Sequence, residues 1–284
     1  MSHIYNEQTK KISGEVSFQL LEEEYGKLFN NNKELLESIY YAASVQQGLL
    51  PQDRHFQKNF NDYFIIYKPL HIIGGDLYWV GTKNNLVYFA AADCTGHGVS
   101  GALLSVLAIS FLNYIVLGKE HLDLGQILAE VDKKWLETFN KSSDFGFDND
   151  WMELSLCSFN FENRELKFAG ANNNLFMMCN DELQIINGNS YPIGGWQIEK
   201  TRLFYEQKFI LPENTMIYLG SDGLKDQFGG EKEKRLTRKG LKNLLKKIHH
   251  LPLDIQKELL EEYFQLWRGS LPQTDDICII GLRL

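Results

Sequence analysis

The spacing of apolar positions changes period repeatedly along the chain. From Leu21, steps of four and three run through Tyr25, Leu28, Asn32, Leu35, Ile39, Ala42, Gln46 and Leu49, a heptad track interrupted by Asn32 and Gln46. Gly26 and the run Asn30-Asn31-Asn32 offer a break, so the track reads either as one helix or as two, ended by Pro51. The period then shortens. DYFIIYKPL, GGDLYWVG and NLVYFAAAD are short, rich in β-branched and aromatic residues and separated by Gly, Asn and Pro, which predicts strands joined by turns. Residues 99 to 117 carry Leu103, Leu104, Leu107, Phe111, Tyr114 and Ile115 at helical spacing, and a second helix is expected from Leu124 to Phe139. Beyond a polar loop at residues 140 to 150 comes a second meander, MELSLCSFN, ELKFAGA, NLFMMCN and ELQIIN, then a strand near Thr201 to Phe209 and the apolar TMIYLG. Residues 237 to 267 are helical with Pro252 dividing them, and DICIIGLRL closes the chain as a strand. Strands, helices, strands, helices and a strand, without regular βα alternation, argue for an α+β fold in which helices cover antiparallel sheets.

Composition narrows the function. The chain has 284 residues, 44% of them hydrophobic and 23% charged, enough for a buried core. Lys and Arg number 29 against 37 Asp and Glu, a formal charge of -8, which weighs against a basic footprint for nucleic acid or anionic lipid. Cys94, Cys157, Cys179 and Cys278 form no CxxC pair, so neither a zinc knuckle nor a disulfide framework is indicated, and reduced thiols fit a cytoplasmic protein. The N-terminus MSHIYNEQTKKISGE lacks the apolar region of a signal peptide. The most apolar stretch, Gly101 to Leu117, falls short of the ~20 residues of a bilayer span and contains Ser105, Ser110 and Asn113, so it reads as a core helix.

Chemistry gathers at acidic residues beside strand ends and glycines: Asp76 in GGD, Asp93 in ADCTGHG, Asp222 in SDG, and Asp275 with Asp276 in QTDDICII. An Asp next to Gly, as at Asp76 and Asp222, is ordinarily a turn residue, but four acidic places, all on the strand side of turns, suit a shared site for hard divalent cations, which prefer several carboxylates. His97 offers an acid or a ligand, although a His between two glycines at a helix entry is more often just that. Gly96, Gly98 and Gly101 open a helix after a strand, yet the pattern is neither GxGxxG nor GxxxxGK[ST], and Cys94 lacks the surroundings of a nucleophilic cysteine.

GGDLYWV, AAADCTGHGVSGALLS, LGSDGLKDQ and QTDDICIIGLRL, in that order and at those separations, resemble the metal-dependent Ser/Thr protein phosphatase family (PPM), in its bacterial SpoIIE and RsbU-like branch. The likeness covers residues 60 to 284, and ASVQQGLLP resembles the helix leading into that domain. It implies a sandwich of two antiparallel β-sheets flanked by α-helices and preceded by N-terminal helices, with residues 1–52 a regulatory or dimerisation segment and residues 53–284 the phosphatase domain. Carried over by position, Asp93 bridges two divalent cations, Mn²⁺ or Mg²⁺, the Cys94 backbone carbonyl touches one of them, Asp222 and Asp275 hold the second, and Asp76 binds through water. The implied activity is hydrolysis of phosphoserine or phosphothreonine in a signalling partner protein by a water activated between the metals, the substrate in related proteins being often an anti-sigma-factor antagonist. Alternatives in other classes are a PPM-fold regulatory binding module without turnover and a small-molecule phosphohydrolase.

Some positions depart from the family. Thr95 stands where the eukaryotic-type branch has its His, and His97 lies further on, so an acid role is not carried over. Ser100 replaces a common Pro in the first turn of the helix, and Lys68 is the candidate for the Arg that grips phosphate. The heptad track needs a surface to cover its apolar side, either the phosphatase domain or the same helix of a second subunit, with Asn32 and Gln46 then setting register at the seam of a homodimer.

Overall fold

The computed structural model describes residues 2–120, 122–139, 149–179, 181–196, 199 and 201–284, with backbone alone over residues 2–21. Most of the polar loop expected at residues 140 to 150, and the side chain of Leu21 at the head of the heptad track, lie outside the described residues. The chain divides into two compact units, Met1–Ser44 and Val45–Leu284.

The first unit is one element. Helix α1 (Ser2–Leu49) is continuous, broken by neither Gly26 nor the three asparagines. Each of those residues costs up to ~1 kcal/mol of helix propensity, which neighbouring Leu, Glu and Lys residues offset over so long a helix. Tyr25, Leu28 and Leu35 of the heptad track are 71%, 59% and 59% exposed.

The second unit begins with the last residues of α1 and a short helix α2 (Asp53–Gln57). Strands β1 (Tyr63–Lys68), β2 (Leu77–Lys83) and β3 (Leu86–Cys94) follow. Helix α3 (Gly98–Leu112) runs on through a widened turn (Asn113–Leu117), and α4 (Leu124–Phe139) packs beside it. Next come β4 (Trp151–Asn160), β5 (Glu165–Ala171), β6 (Asn174–Cys179), β7 (Glu182–Asn187), the two-residue β8 (Ile193–Gly194), β9 (Gln207–Ile210) and β10 (Met216–Gly220). One helical turn, α5 (Gly223–Asp226), a small ribbon of β11 (Phe228–Gly229) and β12 (Lys234–Arg235), helices α6 (Thr237–Ile248) and α7 (Leu253–Arg268), and β13 (Ile277–Arg283) complete the chain.

The strands form two antiparallel sheets, ordered β1-β13-β10-β6-β7 and β2-β3-β4-β5-β9, with β8 beside β4. Period-two alternation sends each strand's residues to two different cores. On β13, Cys278, Ile280 and Leu282 point between the sheets with Phe89, Phe159 and Ile217, while Ile277 and Ile279 point outward to Phe264 and Leu245 of α7 and α6. On β3, Phe89 and Ala91 face the other sheet, whereas Ala90 and Ala92 face α3 and α4, where Leu112, Leu128 and Trp135 are fully buried. The layers are therefore helix, sheet, sheet, helix, the α+β sandwich read from the element order. α3 with its extension spans 20 residues, longer than the sequence reading allowed, and is long and apolar enough for a membrane span. Packing marks it instead as a core helix: half of it is buried, with Ala108, Ile109, Leu112 and Ile115 in the core, and Asn113 Oδ1 accepts a 2.8 Å hydrogen bond from Trp79 Nε1.

Candidate metal centre

Asp93 stands near the end of β3, after a run of alanines small enough to let α3 lie close against the strand. The following turn is held by Thr95, whose N–H donates to the Trp151 carbonyl at 2.9 Å and whose hydroxyl shares a 2.6 Å contact with the Trp151 backbone. Gly96 and Gly98 have φ of 84° and 64°, left-handed values that turn the chain into α3. A second loop, residues 70 to 75, lies directly on this turn. A Cβ on Gly75 would fall 2.7 Å from the Cys94 carbonyl oxygen, and one on Gly101 2.5 Å from that of Gly96, so glycine at both places lets the backbones cross and brings Asp76 to the end of β3.

The other sheet supplies the remaining carboxylates. Asp222 follows β10 and Asp275 precedes β13, which are neighbouring strands. Ser221 links the sheets: its hydroxyl donates to Asp76 Oδ2 and accepts from the Cys278 N–H at 2.9 Å. Asp76 is 1% exposed, and its second oxygen, Oδ1, is buried without a hydrogen-bond partner. Asp276 behaves differently from its neighbour. Its two oxygens accept the N–H groups of Leu70 and Gly75, each at 2.6 Å, so it clamps the loop that carries Asp76.

Charge accumulates here with little to balance it. Burial holds the Asp76 carboxyl well above the usual carboxylate range, and the charge of Asp93 raises it further. Asp93 is raised likewise, by burial first and then by Asp222 and Asp275. Burial also raises Asp275 and Glu153, the latter standing opposite Asp93 in the β3–β4 register. Carboxylates crowded together, one with a buried unsatisfied oxygen, are costly alone and suited to cations. The donors are oxygens, which favours Mg²⁺ or Mn²⁺ over softer metals, and burial pushes the Cys94 thiol up, against a thiolate ligand. Among the described residues no three acidic, His or Cys side chains close into a cage. An open arrangement suits hard cations that keep several waters.

Four of the residues expected from the sequence, Asp76, Asp93, Asp222 and Asp275, thus lie close enough for their charges to act on one another, directly or through a neighbour. The Cys94 carbonyl lies against Gly75. Lys68 does not offer a free cation: its Nζ is 3.0 Å from Glu261. His97 packs its ring edge-to-face on His71, with centroids 5.0 Å apart, and its charge acts on Asp275. Two further charged residues join the site. Glu153 sits in an ordinary strand alternation and only the register brings it to Asp93, whereas Lys225, with Nζ 3.6 Å from Asp222 Oδ2, carries a local signal, three residues after Asp222 in SDGLK.

Two stacked antiparallel sheets with helices on both outer faces, and acidic residues of both sheets meeting at one end, define a PP2C-type phosphatase domain fold. The SiaA-PP2C domain of Pseudomonas aeruginosa has the same fold at a TM-score of 0.79 and 28% identity, over 89% of this chain and 98% of that one. The PP2C phosphatase domain of SpoIIE with a fragment of its regulatory domain, from Bacillus subtilis, aligns at 0.64 and 17% identity, over 78% of this chain and 63% of that one. The RsbU and RsbW domains of Rv1364c from Mycobacterium tuberculosis align at 0.61 and 19%, over 78% and 59%. No curated protein matches the chain. Residues 83–284 match the family model of stage II sporulation protein E (SpoIIE), and the chain belongs to that family.

Proposed function

We propose that the chain is a metal-dependent protein serine/threonine phosphatase that dephosphorylates a signalling partner protein in the cytoplasm. The observation that carries this reading is the buried, partnerless Asp76 Oδ1 among carboxylates raised by burial and by one another, an arrangement a divalent cation would relieve. Asp93 is assigned to bridge two cations, Mn²⁺ or Mg²⁺, with the Cys94 carbonyl on one, Asp222 and Asp275 on the other, and Asp76 acting through water. Such a pair, when bound, would supply an acidified water as nucleophile and would offset charge on the phosphoryl oxygens. The chain's own groups set the geometry. Asp276 fixes the loop before Asp76, Ser221 orients the Asp76 carboxylate, and Lys225 offers a cation beside Asp222 for the phosphate of the substrate. An anti-sigma-factor antagonist is the kind of substrate proposed, in keeping with the pairing of RsbU and RsbW domains in one of the similar structures. The exposed apolar track of α1 is assigned to pairing with a second copy. Asp93→Asn is the test: manganese-dependent hydrolysis of an aryl phosphate should fall on the order of 10³-fold, about 4 kcal/mol in the barrier, with manganese affinity lost and the circular dichroism spectrum unchanged. Activity retained by this variant would refute the assignment.

A further inference from the structure

The total charge conceals a local reversal. Residues 232 to 250 hold eight Lys or Arg and a single Glu, a net +7 in a chain whose total is -8, which leaves -15 on the rest. Most of this run is α6, an amphipathic helix whose inner face, Leu241, Leu245 and Ile248, is already buried. The outer face carries Arg238, Lys239, Lys242 and Lys246, and among the described residues none of these is in an ion pair. Arg235 differs, reaching Asp226 at 3.4 Å and stacking on Phe228.

Through Arg238, one of these four cations, the basic face meets a cleft that leads toward the carboxylate centre. This open cleft, partly lined by apolar residues such as Phe176, Tyr218 and Leu241, runs from Ser221, the hydroxyl partner of Asp76, past Asn173 and Lys225 to Arg238 on α6. An acidic centre repels a phosphate dianion and the acidic chain around it, so a neighbouring cationic surface is what can draw such a ligand in. Resting on the phosphatase reading, we infer that the cleft and the outer face of α6 form the docking surface for an acidic polypeptide flanking the phosphorylated residue of the substrate. A lipid surface fits less well, because the apolar side of α6 is spent on the core and has nothing left to insert.

The experiment uses the full chain with Mn²⁺, two synthetic phosphoserine peptides alike except for acidic or neutral flanks, an aryl phosphate, and the variant Lys239→Glu/Lys242→Glu/Lys246→Glu. Wild type should favour the acidic peptide about tenfold in kcat/KM at low salt and lose the preference at ~0.5 M salt. The variant should lose it through KM, with aryl phosphate turnover and melting temperature unchanged. Anisotropy of a labelled acidic peptide with the metal-free protein should show the same order of affinity. Equal rates on the two peptides, or a variant that keeps the preference, would overturn the inference. So would sedimentation with phosphatidylserine vesicles that the variant abolishes while peptide preference is absent. Failure of wild type to hydrolyse any of the three substrates would instead refute the phosphatase reading, and metal-free peptide binding would still decide the docking surface.

Discussion

Adjacent aspartates that look interchangeable in QTDDICII should respond to mutation with opposite signs. Asp276 is 3% exposed and accepts two backbone hydrogen bonds at 2.6 Å, from Leu70 and Gly75. Replacing it by Ala strands both N–H groups. Hydrogen bonds to a charged group contribute ~1.5–3 kcal/mol each, and part of that is offset by relief of repulsion with the neighbouring carboxylates, so a net loss of about 3 kcal/mol is expected. At ~2–4 °C per kcal/mol, the melting temperature should fall by roughly 6–12 °C. Asp275 does the reverse. Its carboxyl is raised by burial and by Asp222, so its ionised form costs the metal-free protein stability, and Asp275→Asn should leave the metal-free melting temperature unchanged or higher. The assay is thermal unfolding of chelator-treated protein by circular dichroism, repeated with manganese, where Asp275→Asn should lose the metal-induced rise and Asp276→Ala should keep part of it. Equal destabilisation by the two variants without metal would refute the division of roles.

Three other outcomes follow from the same geometry. Gln46, 3% exposed, donates to the Gly74 carbonyl at 2.7 Å and to Ser105 Oγ at 2.8 Å, so Gln46→Leu should cost ~1–3 kcal/mol in unfolding experiments and weaken manganese binding measured by calorimetry. Asp76, Asp93, Asp275 and Glu153 are all raised, so above the ordinary carboxylate range the folded protein holds more protons than the unfolded one; metal-free stability should therefore decline as pH rises from that range through the raised values, and saturating Mn²⁺ should flatten the decline in a melting series. Leu28→Asp with Leu35→Asp should convert a dimer to a monomer by light scattering, and a mass that is the same for variant and wild type would eliminate pairing through α1.

Local chemistry was legible from the sequence, and tertiary partnership was not. Period-two runs such as DICIIGLRL gave strands because each residue faces one of two cores, and Pro252 divided α6 from α7 as expected from its missing N–H. The acidic spots at strand ends were readable for the same reason, since the end of a strand and the turn beside it are local features. What each acid does was not. Asp275 and Asp276 differ through Leu70 and Gly75, some two hundred positions away. Lys68 is engaged by Glu261, and Gln46, for which the heptad left open either the phosphatase domain or a dimer seam, is sunk between Gly74 and Ser105 of the domain. The basic run from Lys232 to Lys247 was visible in the sequence but cancelled in the overall charge.

Ser221 and Asp76 join across the two sheets, and the carboxylates divide the same way: Asp76 precedes β2 and Asp93 lies near the end of β3 in one sheet, while Asp222 and Asp275 flank strands of the other. Neither sheet alone owns a site. A compact intermediate with both sheets formed but not yet seated on each other would show native far-ultraviolet circular dichroism and bind no manganese. Manganese titration during refolding would therefore time the closing of the sandwich, a step that probes of secondary structure pass over in silence, and bound ions would act as a rivet that slows its reopening.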